Sequence, residues 1–513
     1  MVEERNLLRS SGLVMLGIVA SALTGFLREM VIANSFGASR LTDIYLIAFT
    51  IPEFLFIMLP VVISSAFIPL FAERRLQEGE ERAWGFLSAV GLLLLGLLTA
   101  GTLAGILGAP LYLPYLAPGF SGEEVKVTAN LVRIMLPSVI FMGLAALASA
   151  ALNVYRHFSL PALSVAAYNT IFIITAIVSV KALGLIGLAW GAFLGAVGAF
   201  GLQAPQLWGR RPERILCDFH HPGIGRFGSL AAPLALGYAL HHLAIVVDRA
   251  MASGLPAGSI SALNYAYRTA LVMGQLLGVA IPTVIFPVLA EHVAKGEREE
   301  LRQALAQGLR WILLLGLPAS LGLVALRQPV IMVLFQRGEF NEAATRITSG
   351  ILLYYVWGVL ADALCQPLWR VIYACQDVGT VVKVNGLKTI LRIIFNLVFI
   401  PYLLYNGIAL SASLGLGIQL IILGAIVARH TGNFVDKAML KFTLKVSLAS
   451  IAMWAVCQPL VWCLSSGLLP SGLAGGVMMV GLTGLAGAFL FFTTAYILGV
   501  QEVRFLTAKK VAP

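Results

Sequence analysis

The chain has 513 residues, 59% of them hydrophobic and 12% charged, with a mean hydropathy of +0.90 and a formal net charge of +11. An apolar share this far above that of an ordinary soluble domain excludes a water-soluble globule and points to an integral membrane protein. The five cysteines, at 217, 365, 375, 457 and 463, show neither CxxC nor Cys/His ligand spacing, so neither a disulfide framework nor a metal site is expected.

Apolar runs of about 20 residues or more, each long enough to cross a roughly 30 Å hydrocarbon core as a helix, recur along the chain. They predict an all-α polytopic fold of about fourteen spans, at 10–36, 43–73, 83–109, 124–155, 161–181, 184–208, 224–248, 258–291, 299–326, 341–374, 378–404, 407–429, 441–465 and 470–499. The first run follows Glu3-Glu4-Arg5 and leads directly into further spans, so it reads as a membrane helix of the mature protein and not as a cleaved leader.

Orientation follows from lysine and arginine in the connections. One side collects 20 basic residues, among them Arg5, Arg9, Arg74, Arg75, Arg210, Arg214, Lys437, Arg504, Lys509 and Lys510. The other collects 7, namely Arg40, Lys126, Lys181, Arg249, Arg327, Arg337 and Arg346. This asymmetry places both termini in the cytoplasm and accounts for most of the net charge. Because the basic residues occupy short loops and not a patch on a soluble domain, nucleic-acid binding is not expected.

The chain also resembles itself at an offset of 218 residues. Phe67-Ile68-Pro69-Leu70-Phe71-Ala72-Glu73 aligns with Ile285-Phe286-Pro287-Val288-Leu289-Ala290-Glu291, and Tyr155 with Tyr373. Six spans separate equivalent points, so both copies enter the membrane from the same side as a parallel repeat. The expected organisation is a six-helix lobe at 1–220, a second at 221–430, and two further helices with a basic tail at 431–513.

Charges inside spans mark functional paths, because a charge at bilayer depth is costly without a partner or water. In span 1, Ser21, Thr24, Gly25 and Arg28 share a helical face, with Glu29 beside them. In span 8, Asn264, Arg268 and Gln275 fall within about 40° of one another, and in span 11 Asn385, Lys388, Arg392 and Asn396 form a cationic ladder rising roughly 16 Å. Arginine forks match phosphate oxygens and lysine adds a point charge, so a phosphorylated anionic passenger fits this excess of cations. The alternative is that the bases pair with Glu29, Glu53 or Asp362 to hold the bundle together. Glu29, Asp43, Glu53 and Asp362 read either as counter-ions or as sites coupling transport to Na⁺ or H⁺, and Asp43 reads equally as a helix-end cap. Arg133, Arg310, Arg370 and Lys383 lie near span ends and are expected to snorkel. Pro52, Pro60 and Pro69 make span 2 the element most expected to bend. His241-His242 reads as packing or cavity lining. The sequence carries no P-loop, zinc-protease helix or nucleophile elbow, so no catalytic residues are assigned.

At Gly25-Phe26-Leu27-Arg28-Glu29, Phe36-Gly37-Ala38 with Thr42-Asp43, Ala66-Phe67-Ile68-Pro69 with Ala72-Glu73, Tyr265-Ala266-Tyr267-Arg268, and Leu334-Phe335-Gln336-Arg337-Gly338-Glu339-Phe340, the sequence resembles the MurJ (MviN) family of lipid II flippases. That family lies within the superfamily of multidrug, oligosaccharidyl-lipid and polysaccharide exporters. The resemblance implies two six-helix lobes plus a terminal pair, and a cationic cavity for the diphosphate and sugar of an undecaprenyl-linked peptidoglycan precursor. It also implies a groove by the last two helices for the lipid tail, and alternating-access export across the bacterial cytoplasmic membrane. It assigns Arg28, Asp43 and Arg268 to positions of functionally required charge. It names lipid II or a related polyprenyl-diphosphate glycan, membrane lipids and cell-wall synthesis proteins as candidate partners. No resident cofactor is implied; the drive is Na⁺, H⁺ or the membrane potential. Ala22, the stretch Glu53-Phe54-Leu55-Phe56, and Tyr267 depart from the family pattern, and each leaves the first lobe or span 8 with fewer charges. Another polyprenyl-linked glycan, or a drug carried by cation coupling, remains an alternative passenger. A non-transporting scaffold for cell-envelope assembly, in which the buried arginines would be dispensable, is a third reading.

Overall fold

The structure is a computed structural model. It describes the backbone of residues 2–212, 223–375, 377–470 and 472–503, and within these the side chains outside 2–14, 240–241, 276, 278–288, 290, 294, 378 and 467. Arg214, Cys217, Arg504, Lys509 and Lys510 lie outside the described residues, as do the side chains of Arg5, Arg9, His241 and Pro287.

The described chain forms helices α1 (Val2–Phe36), α2 (Arg40–Gln77), α3 (Glu80–Leu116), α4 (Gly122–Met135), α5 (Ser138–Val154), α6 (Ser159–Leu183), α7 (Leu185–Trp208), α8 (Gly223–Ser253), α9 (Ser259–Lys295), α10 (Arg298–Ala325), α11 (Arg327–Phe335), α12 (Glu342–Ala374), α13 (Val378–Leu403), α14 (Tyr405–Thr431), α15 (Lys437–Cys463) and α16 (Leu473–Ile497). A π-helical turn, Leu464–Leu468, follows α15. Several starts are dictated locally: Ser39, Ser121, Asn341, Asp377 and Asp436 each accept a hydrogen bond from a backbone amide in the first turn of the next helix, and Ser121 forms a full capping box with Glu124.

Thirteen segments of the described chain are long and apolar enough to cross a membrane, with α4 and α5 forming one of them. The 37-residue α9, which is not among these thirteen, lies where the sequence places its eighth span, so about fourteen helices remains consistent with the fold. Two details differ from the sequence expectation. Span 4 is broken at Leu136-Pro137, where the ring of Pro137 removes an amide donor, and the short α11 follows span 9 as a separate helix. α2 carries Pro52, Pro60 and Pro69 yet runs unbroken over 38 residues.

The repeat is written into the element boundaries: α2, α6 and α7 shifted by about 218 residues fall on α9, α13 and α14. Even the link between paired helices recurs. Gly184, before α7, has φ 57° and ψ −132°, and Leu404, before α14, has φ 50° and ψ −130°. Glycine takes this geometry freely, whereas a leucine there carries strain.

Two compact units divide the chain at Ser261/Ala262, three residues into α9. In the first, α2 packs on α3, α4, α5 and α8, while α1 packs on α6 and α6 on α7. Its aromatic core stacks Phe67 on Phe71 and Phe86 at ring separations of 5.1 and 5.4 Å. In the second, α12 packs on α10 and α14, α13 on α14, and the terminal pair α15 and α16 docks on α10 and α11.

Candidate substrate-contact site

The site around Arg28 is set by small residues. On α7, Gly187, Gly191 and Gly195 recur every fourth residue, and a Cβ at each would stand 2.5, 3.2 and 2.7 Å from Ser179, Phe172 and Tyr168 of α6. Helices meet this closely only where side chains are absent, and the contact fixes how α6 presents its opposite face to α1. On α1 the same device recurs with Gly17 against Ala162 and Gly25 against Asn169. Ser21 lies between them and donates to the Ala162 carbonyl at 3.1 Å.

The Ser21–Thr24 stripe predicted as substrate-binding is therefore the contact surface of α1 with α6. Thr24 donates to the Ala20 carbonyl at 2.7 Å, and the Asn169 amide nitrogen reaches the Ser21 carbonyl and the Thr24 hydroxyl at 3.4 and 3.5 Å. One turn further on, Arg28 pairs with Glu29 at 3.0 Å and donates to Asn169 Oδ1 at 3.3 Å. Its guanidinium carbon sits 5.8, 5.8 and 5.6 Å from the ring centres of Phe49, Tyr168 and Phe172. The cation is thus held by one carboxylate, one amide and three aromatic rings, a combination that keeps it charged where water is scarce.

Glu53 has a different partner. Arg249, assigned from the sequence to a connection, lies inside α8 and is 9% exposed. Its guanidinium meets Glu53 Oε2 at 2.7 Å, Thr50 Oγ1 at 2.8 Å and the Leu46 carbonyl at 3.2 Å. The apolar run of span 7 ends at Asp248-Arg249, which reads as a membrane boundary; only packing on α2 shows it to be buried.

Asp43 caps a helix, but not its own, since Ser39 caps α2. The two Asp43 oxygens accept from the amides of Gly258 and Ser261, each at 2.8 Å, at the start of α9. One turn earlier on α2, Arg40 donates to the Ser253 carbonyl at the end of α8 and to the Gly119 carbonyl, and pairs with Glu124 at 2.7 Å. Anion at a helix start and cation at a helix end both match the helix dipole. Gly258, at φ +89° and with Ala38 O only 2.3 Å from where a Cβ would stand, closes the turn between them.

In the second unit, Asn264, Arg268 and Gln275 occupy the less buried face of α9, while Tyr265, Ala266, Thr269, Ala270 and Met273 are buried on the opposite one. Lys388 is 8% exposed and donates to Asn385 at 3.1 Å. Gly415 of α14 opens the space beside it, its Cβ position lying 3.7 Å from both Lys388 Cγ and Arg392 Cβ. Asp362, on α12, accepts from Gln366 at 3.5 Å and interacts electrostatically with Lys388. Asn396, at the end of the ladder, is fully buried. Of the cations expected to snorkel, Arg310 instead reaches Glu502 at 3.7 Å and lies over the Phe442 ring. His242 packs on Phe54, with ring centres 5.1 Å apart. Among the described residues no cluster of histidine, cysteine or carboxylate side chains is arranged to hold a metal.

Sequence reasoning missed Asn169, Arg249, Tyr45 and Tyr168. Asn169, deep in span 5, was detectable as a lone amide in an apolar run; the tyrosines carried no signal in a membrane protein with 14 of them.

Known proteins resemble this chain along most of its length. The family described as lipid II flippase MurJ matches residues 32–479. The lipid II flippase MurJ of Burkholderia cenocepacia is 32% identical over 424 residues, covering 80% of this chain and 81% of its own. The probable lipid II flippase MurJ of Buchnera aphidicola from Acyrthosiphon pisum is 31% identical over 456 residues, covering 87% and 89%. Among solved structures, a lipid II flippase MurJ in an inward closed conformation superposes with a TM-score of 0.81 at 24% identity, covering 97% of this chain and 100% of that one. An inward-facing MATE transporter of the MOP superfamily shares the fold at a TM-score of 0.66 and 14% identity, covering 82% and 96%. The multi-pass helical architecture, the motif series from Gly25 to Phe340 and the family match over residues 32–479 agree, and the chain belongs to the MurJ family of lipid II flippases.

Proposed function

We propose that this protein moves lipid II, the undecaprenyl-diphosphate-linked peptidoglycan precursor, from the inner to the outer leaflet by alternating access. The observation that carries the reading is the family match along nearly the whole chain, together with Arg28 in its first unit, an intramembrane cation only 11% exposed and paired with Glu29. Arg28 and Arg268 are each suited to contact the diphosphate, because a planar guanidinium fork matches its oxygens. Lys388 and Arg392 add positive charge to the second unit. Glu29 neutralises Arg28 when no substrate is bound, as their 3.0 Å contact suggests. The protein lies in the bacterial cytoplasmic membrane with both termini inside, which the 20 to 7 asymmetry of basic connections supports. Na⁺, H⁺ or the membrane potential drives the cycle, and Asp362 beside Lys388 is the acid best placed to take part. Partners among the cell-wall synthesis proteins would receive the flipped precursor.

Reconstitution into liposomes with labelled lipid II and, separately, another polyprenyl-linked glycan tests the assignment. Movement of lipid II alone is expected, and movement of the other glycan alone overturns it. In cells lacking other flippases, Arg28→Ala and Arg268→Ala variants expressed at normal levels should fail to support peptidoglycan synthesis.

A further inference from the structure

Two buried hydroxyls beside Arg28 make no hydrogen bond of good geometry among the described residues. Tyr45, on α2, is 1% exposed and its hydroxyl finds no hydrogen-bond partner among the described residues. Its charged and polar neighbours are Arg28, Tyr168, Glu29 and Glu53. Tyr168, on α6, is 3% exposed; its hydroxyl feels the Arg28 guanidinium but meets no donor or acceptor in good hydrogen-bond geometry. The Nε of Arg28 is likewise buried and unpartnered, although the rest of its fork is engaged. Three orphaned polar groups therefore gather at one cation. The rings that carry the hydroxyls are well packed: Tyr45 stacks on Phe49 at 5.8 Å, and Tyr168 meets Phe56 edge-on at 5.4 Å.

Buried polar groups are almost always satisfied, and an orphaned hydroxyl penalises the state that contains it. A tyrosine retained only for packing is matched by phenylalanine at no such cost. The phenol is a strong donor, and all three orphans can donate, which is the complement of an oxyanion already drawn to a guanidinium. Glu29 occupies one edge of the Arg28 fork and Asn169 another, so an arriving anion displaces the carboxylate and presents its own oxygens to the hydroxyls.

We infer that Tyr45 and Tyr168 are substrate-positioning residues whose hydroxyls, unsatisfied in the empty site, donate to the second phosphate of a diphosphate bound at Arg28. The inference rests on the flippase reading and deepens it: Arg28 supplies attraction for any phosphate, and the tyrosines make the site prefer a diphosphate to a monophosphate.

The test uses the full-length protein in nanodiscs, with undecaprenyl diphosphate and undecaprenyl monophosphate as probes, and the variants Tyr45→Phe, Tyr168→Phe and Arg28→Ala. The wild type is expected to bind the diphosphate more tightly. Each phenylalanine variant should lose about tenfold to a hundredfold in diphosphate affinity, the worth of one hydrogen bond to a charged group, with monophosphate affinity little changed. The melting temperature of each empty variant should equal or exceed that of the wild type, because the lost hydroxyl had no partner. Each hydroxyl is judged by its own variant. Unchanged diphosphate affinity, or a lower melting temperature in the empty protein, overturns its assignment. If the wild type and Arg28→Ala bind both probes equally, the flippase reading of Arg28 itself fails, an outcome distinct from failure of the tyrosines alone.

Discussion

Arg28 and Arg249 in the first unit are held differently from Lys388 in the second. In the first, each internal cation touches an acid: Arg28 meets Glu29 at 3.0 Å and Arg249 meets Glu53 at 2.7 Å, with aromatic rings or carbonyls closing the remaining sides. In the second, Lys388 turns its ammonium to Asn385 and feels Asp362 through space, while Arg268 stands on the less buried face of α9. Arg28 and Arg249 are thus charges stored against a carboxylate, whereas Lys388 is held more loosely, by an amide and by a carboxylate acting through space. A stored charge requires displacement of its partner before it can bind substrate, which ties binding to a local rearrangement.

The sharpest way to break this comparison is to remove one member of the stored pair. Arg28→Met leaves Glu29 buried without its cation, and a loss of roughly 3–5 kcal/mol is expected. The double variant Arg28→Met, Glu29→Gln should recover most of that stability but no lipid II transport. Denaturant titration in detergent reads the first quantity and proteoliposome transport the second. If the double variant is no more stable than the single, the pair is not a stored contact.

Asp43→Ala comes next. It removes both acceptors from the amides of Gly258 and Ser261, and a loss of about 3 kcal/mol follows from two charge-assisted bonds. Asp43→Asn, which keeps one carbonyl oxygen, should lose less. Hydrogen exchange at the Gly258 and Ser261 amides should accelerate in both, more in the alanine variant, and unchanged exchange would dismiss the cap.

Lys388→Met should behave more mildly, because Asp362 is not in contact with it and keeps Gln366. A destabilisation of about 1–2 kcal/mol and a partial loss of transport are expected. Transport abolished as fully as in Arg28→Ala would mean that the loosely held charge of the second unit is as indispensable as the stored one.

The smallest effect concerns Asp436, outside the spans at the head of α15. The Met439 amide first, and then Arg310 and Arg302, hold its carboxyl below the usual carboxylate range. A carboxyl depressed in the folded state adds stability that is fully present above the unfolded value, near 3.9, and is lost as pH falls through the folded one. The melting-temperature gap between wild type and Asp436→Asn should therefore be constant from pH 7 to 5 and narrow progressively below pH 4. A gap that does not narrow as the pH falls below 4 would point to packing instead.

Several features of this molecule were legible in the residues themselves. Hydropathy alone yields the spans, because a bilayer demands long apolar helices with every backbone bond made internally. The 218-residue offset predicts the pairing of α2 with α9 and α6 with α13. Arg28 and Glu29 are adjacent, so their pairing needed no tertiary information beyond a shared environment. Other features were not readable. Arg249 looked like a boundary residue because it follows Asp248 at the end of an apolar run, and only the packing of α8 on α2 buries it against Glu53. Helical periodicity groups Ser21 and Thr24 on one face with Arg28 but does not tell what that face meets; α6 meets it.

The sequence by itself determined the class, the approximate number of spans, the repeat and the intramembrane cations Arg28, Arg268, Lys388 and Arg392, all properties of local composition and spacing. Tertiary structure alone decided that Arg249 meets Glu53, that Asp43 caps a helix starting some 215 residues further along the chain, and that Tyr45 and Tyr168 close around Arg28 with their hydroxyls short of a well-formed hydrogen bond. The physical reason is the same in each case. Hydrogen bonds and ion pairs act over a few ångströms between groups far apart in the chain, and the small-residue stripes at Gly17 and Gly187 that bring those groups together reveal their partners only once the helices are packed.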